Sequence, residues 1–83
     1  MSALPKQETH LDQLEIGEYA RVLGFRDPSS DYARRLQSLG LIPGTELQLK
    51  RYAPLGDPAE IIYRGTRLAL RPAEAEGLLL ERL

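Results

Sequence analysis

Side chains that could do chemistry are few in this sequence of 83 residues, which contains one histidine and no cysteine. The histidine, His10, lies between two carboxylates, Glu8 and Asp12. An imidazole with carboxylate oxygens suits a divalent transition metal. We therefore expect at most a weak metal site, which two chains meeting at their acidic N-terminal segments could share.

Nucleophilic and acid–base catalysis have little support in the residue types. With a single histidine and no cysteine, the chain lacks the usual pairing of a base with a nucleophile. It also lacks the glycine–lysine–serine or glycine–lysine–threonine ending of a phosphate-binding loop. We therefore expect a protein that is not an enzyme and that requires no cofactor.

The composition is that of a small globular domain, with 42% hydrophobic and 28% charged residues in 9.3 kDa. This length supports one domain. No apolar run is longer than the three leucines at residues 78–80, which is far too short for a membrane span. The absence of cysteine and of a signal segment indicates a cytoplasmic protein without direct membrane insertion.

Charge is uneven along the chain, although the formal net charge is only −1. Residues 21–71 carry nine basic against five acidic side chains. A nucleic-acid-binding barrel would need these cations in one stripe with aromatic residues between them. Aromatic residues make up only 6% of the chain, so nucleic acid is not the expected partner. The cations available for such a stripe are Arg34, Arg35, Lys50, Arg51, Arg64, Arg67 and Arg71.

Glycine and proline residues divide most of the chain into short segments, which have the length of strands rather than of helices. Alternation supports this assignment, since Leu47 and Leu49 point one way while Glu46 and Lys50 point the other. We predict strands over residues 19–25, 45–52, 61–63, 67–70 and 78–82, with a hairpin at residues 64–66.

One segment has helical periodicity instead. Tyr32, Leu36 and Leu39 recur at the spacing of an apolar helix face, with Ala33 beside them. One of the two serines at residues 29 and 30 caps the start of this helix. Gly40 ends it as a residue of left-handed conformation.

Together these elements predict a mainly β fold: a small, partly open barrel of about five strands, with one inserted α-helix and short helical turns. The short turns are expected after Thr9 and at residues 73–76. Residues 1–8 lack periodicity and contain Pro5, so we predict a flexible N-terminal tail there, followed by one domain over residues 9–83.

Two short loops, residues 39–45 and 53–58, are stiffened by proline and glycine and carry large aliphatic side chains. A stiff loop loses little entropy on binding, so such side chains make efficient anchors for a partner. The alternative is that Leu41 and Leu55 fold back into the core. The predicted partner-binding residues are Leu41, Pro43, Leu55, Gly56, Asp57 and Pro58, rimmed by Arg35 and Arg51.

An ordered set of motifs resembles the FeoA family. It comprises Arg34-Arg35-Leu36, Leu39-Gly40-Leu41, Pro43-Gly44-Thr45, the loop at residues 53–58, and the segment 68–71 followed by Glu74-Ala75. The resemblance covers residues 11–83 and implies an SH3-like β-barrel. Related domains stand behind a DNA-binding domain in DtxR-type repressors, whereas the present length suits a stand-alone member.

The resemblance also implies a function. FeoA proteins are cytoplasmic accessory proteins of ferrous iron uptake, which bind the FeoB transporter at the inner face of the membrane and modulate transport or its GTPase cycle. The family defines no strict set of metal ligands, so the site at His10, Glu8 and Asp12 rests on the residue types alone. An ion there is expected to be Fe²⁺ or Zn²⁺, shared across a homodimer. Two alternatives stay open: a metal-sensing module that uses His10 and carboxylates, and a nucleic-acid-binding barrel.

Overall fold

The computed structural model describes residues 8–55 and 57–83, which form one antiparallel sheet with short helices between its strands. The strand order is β1-β6-β2-β3-β4-β5. A 3₁₀ turn follows β1 and helix α2 follows β5, and the two contact each other, so they join the two ends of the sheet. The strands are β1 (Glu8–Thr9), β2 (Tyr19–Phe25), β3 (Glu46–Tyr52), β4 (Ala59–Tyr63), β5 (Thr66–Leu70) and β6 (Leu78–Arg82). The helical elements are the 3₁₀ turn (Leu11–Gln13), α1 (Asp31–Ser38) and α2 (Pro72–Glu76).

The mainly β architecture with one inserted helix is confirmed, and the five predicted strands shift by at most two residues. One strand was missed. Glu8 and Thr9 form β1 by pairing with Glu81 and Leu80 of β6, so the assignment of Glu8 to a flexible tail is wrong. A strand of two residues is too short to show the alternation of apolar and polar side chains in the sequence. It forms because its backbone pairs with the edge of β6. Residues 1–7 of the predicted tail lie outside the described residues.

Helix α1 begins and ends where its local signals place it. The Ser30 hydroxyl accepts a hydrogen bond from the backbone N–H of Ala33. At the other end Gly40 has a φ of +95°, and the Leu41 N–H donates to the Leu36 carbonyl at 3.0 Å. This wrapped-back geometry favours glycine, because a Cβ strains a left-handed residue.

The buried face of α1 is narrower than predicted. Ala33 and Leu36 are buried, whereas Tyr32 is 53% and Leu39 is 41% exposed. Tyr32 lies in the first turn and Leu39 follows the last helical residue, so the short helix meets the core only through its middle.

The core is aliphatic and sits on the inner face of the sheet. Leu47 and Leu49 of β3 are buried, as the alternation predicts. Full burial of such a side chain stabilises the fold by about 1.5–3 kcal/mol. The completely buried large side chains are Leu11, Val22, Leu36, Leu41, Leu47, Leu49, Ile61, Leu70, Leu78 and Leu80.

Candidate functional site

The two loops predicted to form one docking patch lie at opposite ends of β3. Residues 39–45 lead into this strand and residues 53–58 leave it. A strand of seven residues is about 20 Å long. The two loops therefore do not form a single compact patch, and each is a separate surface.

The first loop is fixed to the body of the domain. The Gly44 N–H donates to the Val22 carbonyl at 2.7 Å, and the Val22 N–H donates to the Thr45 carbonyl at 2.8 Å. The Thr45 hydroxyl also donates to the Gly40 carbonyl, at 3.1 Å. Leu41 is completely buried, so its assignment to the docking patch is wrong. Pro43 of the same loop is exposed.

The second loop presents its apolar side chain to solvent. Leu55 is 95% exposed, the largest exposure among the exposed large apolar side chains of residues 8–55 and 57–83. One hydrogen bond, from the Ala53 N–H to the Pro58 carbonyl at 3.0 Å, closes the base of the loop. Asp57 is exposed and Pro58 is half-buried, while Gly56 lies outside the described residues. Leu55 is therefore exposed to solvent rather than part of the core.

The two predicted rim arginines have different surroundings. Arg51 lies on β3 just before the second loop, and its Nε is 3.5 Å from Oε1 of Glu60. Its side chain is 64% exposed, so it is accessible near the end of β3 from which the second loop leaves. Arg35 instead forms an ion pair with the buried Glu74, which joins α1 to α2. Arg35 therefore has a structural partner that the sequence pattern did not indicate.

A cavity of about 400 Å³ adjoins the second loop. It brings together His10, Asp12 and Asp57, which were predicted to belong to two different sites. Four further polar residues of the lining were not predicted as site residues: Gln13, Arg26, Tyr52 and Glu76. One feature of the sequence could have indicated Tyr52, because it is an aromatic residue at the end of a predicted strand and directly precedes a proline-rich loop. The apolar part of the lining is Leu11, Ala59, Leu70, Pro72 and Ala75.

The phenol of Tyr52 gives this cavity its clearest electrostatic feature. Burial raises the pKa of Tyr52, and the negative charge of Asp12 raises it further. Its hydroxyl is 3.5 Å from the Leu11 carbonyl, toward which it donates. The group therefore stays protonated over the physiological pH range.

The predicted metal residues do not form a metal site within one chain. Among residues 8–55 and 57–83, no group of three or more histidine, cysteine, aspartate or glutamate side chains could hold an ion. Glu8 lies on β1, whereas His10 and Asp12 line the cavity beyond that strand. The His10 Nδ1 atom is buried without a hydrogen-bond partner in the described part of the chain. A site shared between two copies stays a prediction.

The family model of the FeoA domain matches residues 9–82. The chain belongs to the FeoA family. A FeoA-like protein from Clostridium acetobutylicum is 35% identical over 96% of this chain and 91% of its own, with a TM-score of 0.84. The FeoA protein from Chlorobium tepidum is 39% identical over 90% of this chain and 70% of its own, with a TM-score of 0.80.

The description of a third similar structure names its fold. FeoA from Stenotrophomonas maltophilia is 30% identical over 88% of this chain and 89% of its own, with a TM-score of 0.77. That protein was crystallised with zinc and described as a prokaryotic SH3 domain protein and a candidate activating factor of ferrous iron transport. The FeoA domain of the present chain is likewise SH3-like. Within its described residues, no helix has the length and apolarity needed to cross a membrane.

Proposed function

We propose that this FeoA domain is a non-enzymatic, cytoplasmic accessory protein of ferrous iron uptake. It binds the cytoplasmic part of an FeoB-type transporter, which recruits it to the inner face of the membrane, and it modulates transport or the GTPase cycle. Family membership supports this proposal, as does the role suggested for the relative from Stenotrophomonas maltophilia.

The observation that carries the docking proposal is the exposure of Leu55 on a loop closed by a backbone hydrogen bond. Burial of a leucine at an interface is worth about 1.5–3 kcal/mol. The closed, proline-containing loop loses little entropy when it binds. Arg51 beside the loop favours an acidic surface on the partner and speeds the encounter.

The test is calorimetric binding of the purified chain to the cytoplasmic domain of the transporter. We expect Leu55→Asp to weaken binding at least tenfold, because a loss of about 1.4 kcal/mol already gives this factor. Ile42→Asp is the matched control, since Ile42 is 44% exposed in the first loop, at the opposite end of β3. Equal affinity of wild type and Leu55→Asp would place the docking surface elsewhere.

A second proposal concerns metal binding. His10 binds Fe²⁺ or Zn²⁺ weakly through its Nε2 atom, in a site that two chains share. The exposed carboxylates of Glu8 and Asp12 support it, because they are available to an ion at the surface.

A further inference from the structure

One end of the sheet is an open edge. Strand β5 pairs with β4 alone, in register from Tyr63 opposite Thr66 to Ala59 opposite Leu70. The connecting turn consists of Arg64 and Gly65, whose φ angles are +49° and +74°. These are the angles of the two-residue type I′ hairpin turn.

The turn geometry fixes which backbone groups of β5 are free. In a two-residue hairpin the pair next to the turn is hydrogen bonded, and bonded and non-bonded pairs then alternate along the ladder. Thr66, Leu68 and Leu70 therefore direct their N–H and C=O groups at β4. Arg67 and Ala69 direct theirs away from the sheet, toward solvent.

These outward groups have no partner in the described part of the chain. No hydrogen bond outside the β4–β5 ladder involves the backbone of Arg67 or Ala69, and both residues are exposed. An unpaired strand edge of this kind is a template for pairing with another extended chain. Five paired residues make β5 much longer than β1, the two-residue strand at the other end of the sheet.

The charged side chains along β5 and its two flanking positions are all positive. Arg64, Arg67 and Arg71 are exposed, and no acidic residue lies between positions 64 and 71. The neighbouring carboxylate, Glu60 of β4, is shared between Arg67 at 3.6 Å and Arg51 at 3.5 Å. The edge therefore keeps an excess of positive charge that is complementary to an acidic chain.

We propose that the β5 edge is a second docking surface, on which an extended acidic segment of a partner protein adds as a further strand. The backbone of Arg67 and Ala69 sets the register of this segment, and its carboxylates bind the side chains of Arg64, Arg67 and Arg71. This mode of recognition takes affinity from main-chain hydrogen bonds and selectivity from alternate side chains. It is independent of the Leu55 loop and of the proposed function.

The test uses a synthetic peptide of alternating valine and glutamate and the full chain labelled with ¹⁵N. We expect the peptide to shift the amide signals of Arg67 and Ala69 and to slow their hydrogen exchange. Ala69→Pro removes the outward N–H without breaking the ladder, as proline is tolerated on an edge strand. It should weaken peptide binding at least tenfold, whereas Ala69→Thr, which keeps the N–H, should bind like wild type.

Two further comparisons keep the proposal testable if Ala69→Pro does not fold. Arg67→Glu should weaken binding at least tenfold, and Arg34→Glu on α1 should leave it unchanged.

A peptide with N-methylated backbone nitrogens should not bind. If this peptide binds as well as the unmodified one, the attraction arises from charge alone and the proposal is overturned. Tighter binding of a single-stranded oligonucleotide at the same amides, or pairing of the edge with a second copy before peptide is added, would also overturn it.

Discussion

The two loops at the ends of β3 have similar compositions and opposite structures. Both contain proline, glycine and leucine, yet Leu41 is completely buried and Leu55 is 95% exposed. The first loop returns from α1, and backbone hydrogen bonds join it to both α1 and β2. The second connects the adjacent strands β3 and β4, and one hydrogen bond closes its base. Proline and glycine thus predict that a loop is stiff, whereas the elements it contacts decide where its side chains point.

The largest effect that tests this comparison is on stability. Leu41→Ala should lower the free energy of unfolding by about 2–5 kcal/mol, because it leaves a cavity in a closed core. Leu55→Ala should change it by less than about 0.5 kcal/mol, as expected at an exposed position. Urea denaturation of both variants measures the difference. Similar losses would mean that Leu55 also packs against the domain in solution.

A smaller effect concerns the start of the first loop. Gly40→Val should cost about 1–2 kcal/mol or more, because a β-branched residue is strained at a φ of +95°. A Cβ at Gly40 would lie 3.7 Å from the Tyr63 ring, an ordinary contact, so the cost arises from the backbone. Gly77→Ala is the control, since Gly77 has a φ of −81° and open space around it. Thermal melts in which both variants match wild type would contradict this account of the helix end.

The outcome for other residues shows why the sequence predicts some features and not others. The Ser30 cap and the Gly40 helix end depend on neighbours in sequence, so local patterns suffice to find them. Strand β1 exists because β6 pairs with it from the far end of the chain. The cavity likewise joins the 3₁₀ turn, β3, the second loop and α2, which no local pattern connects. The ion pair of Arg35 with Glu74 is missed for the same reason.

The next prediction concerns His10, which lies across the cavity from the second loop. His10→Ala should leave the fold intact, because the side chain is only half-buried and its Nδ1 atom makes no hydrogen bond in the described residues. The variant should lose any dimer that forms on addition of Fe²⁺ or Zn²⁺, as measured by light scattering. Tight Fe²⁺ binding by a His10→Ala monomer would show that the proposed ligand is wrong.

The smallest expected effect is a change in stability at alkaline pH, which depends on the packing of Tyr52 at the base of the second loop. The pKa of Tyr52 is raised above its ordinary value of 10.0 by burial and by Asp12, so the folded state favours the protonated phenol. This contribution to stability is complete below pH 10 and is lost as the pH rises through the folded-state pKa. Tyr52→Phe should therefore lose less stability than wild type above that pH.

Asp12→Asn should move the pKa of Tyr52 part of the way back, since it removes the smaller of the two causes. A difference absorbance titration of wild type against Tyr52→Phe isolates this phenol from the other three tyrosines. If it titrates at the ordinary value, the ring is solvated and the base of the second loop is open. If it titrates above that value, the base is packed and the exposure of Leu55 is a property of the loop tip alone.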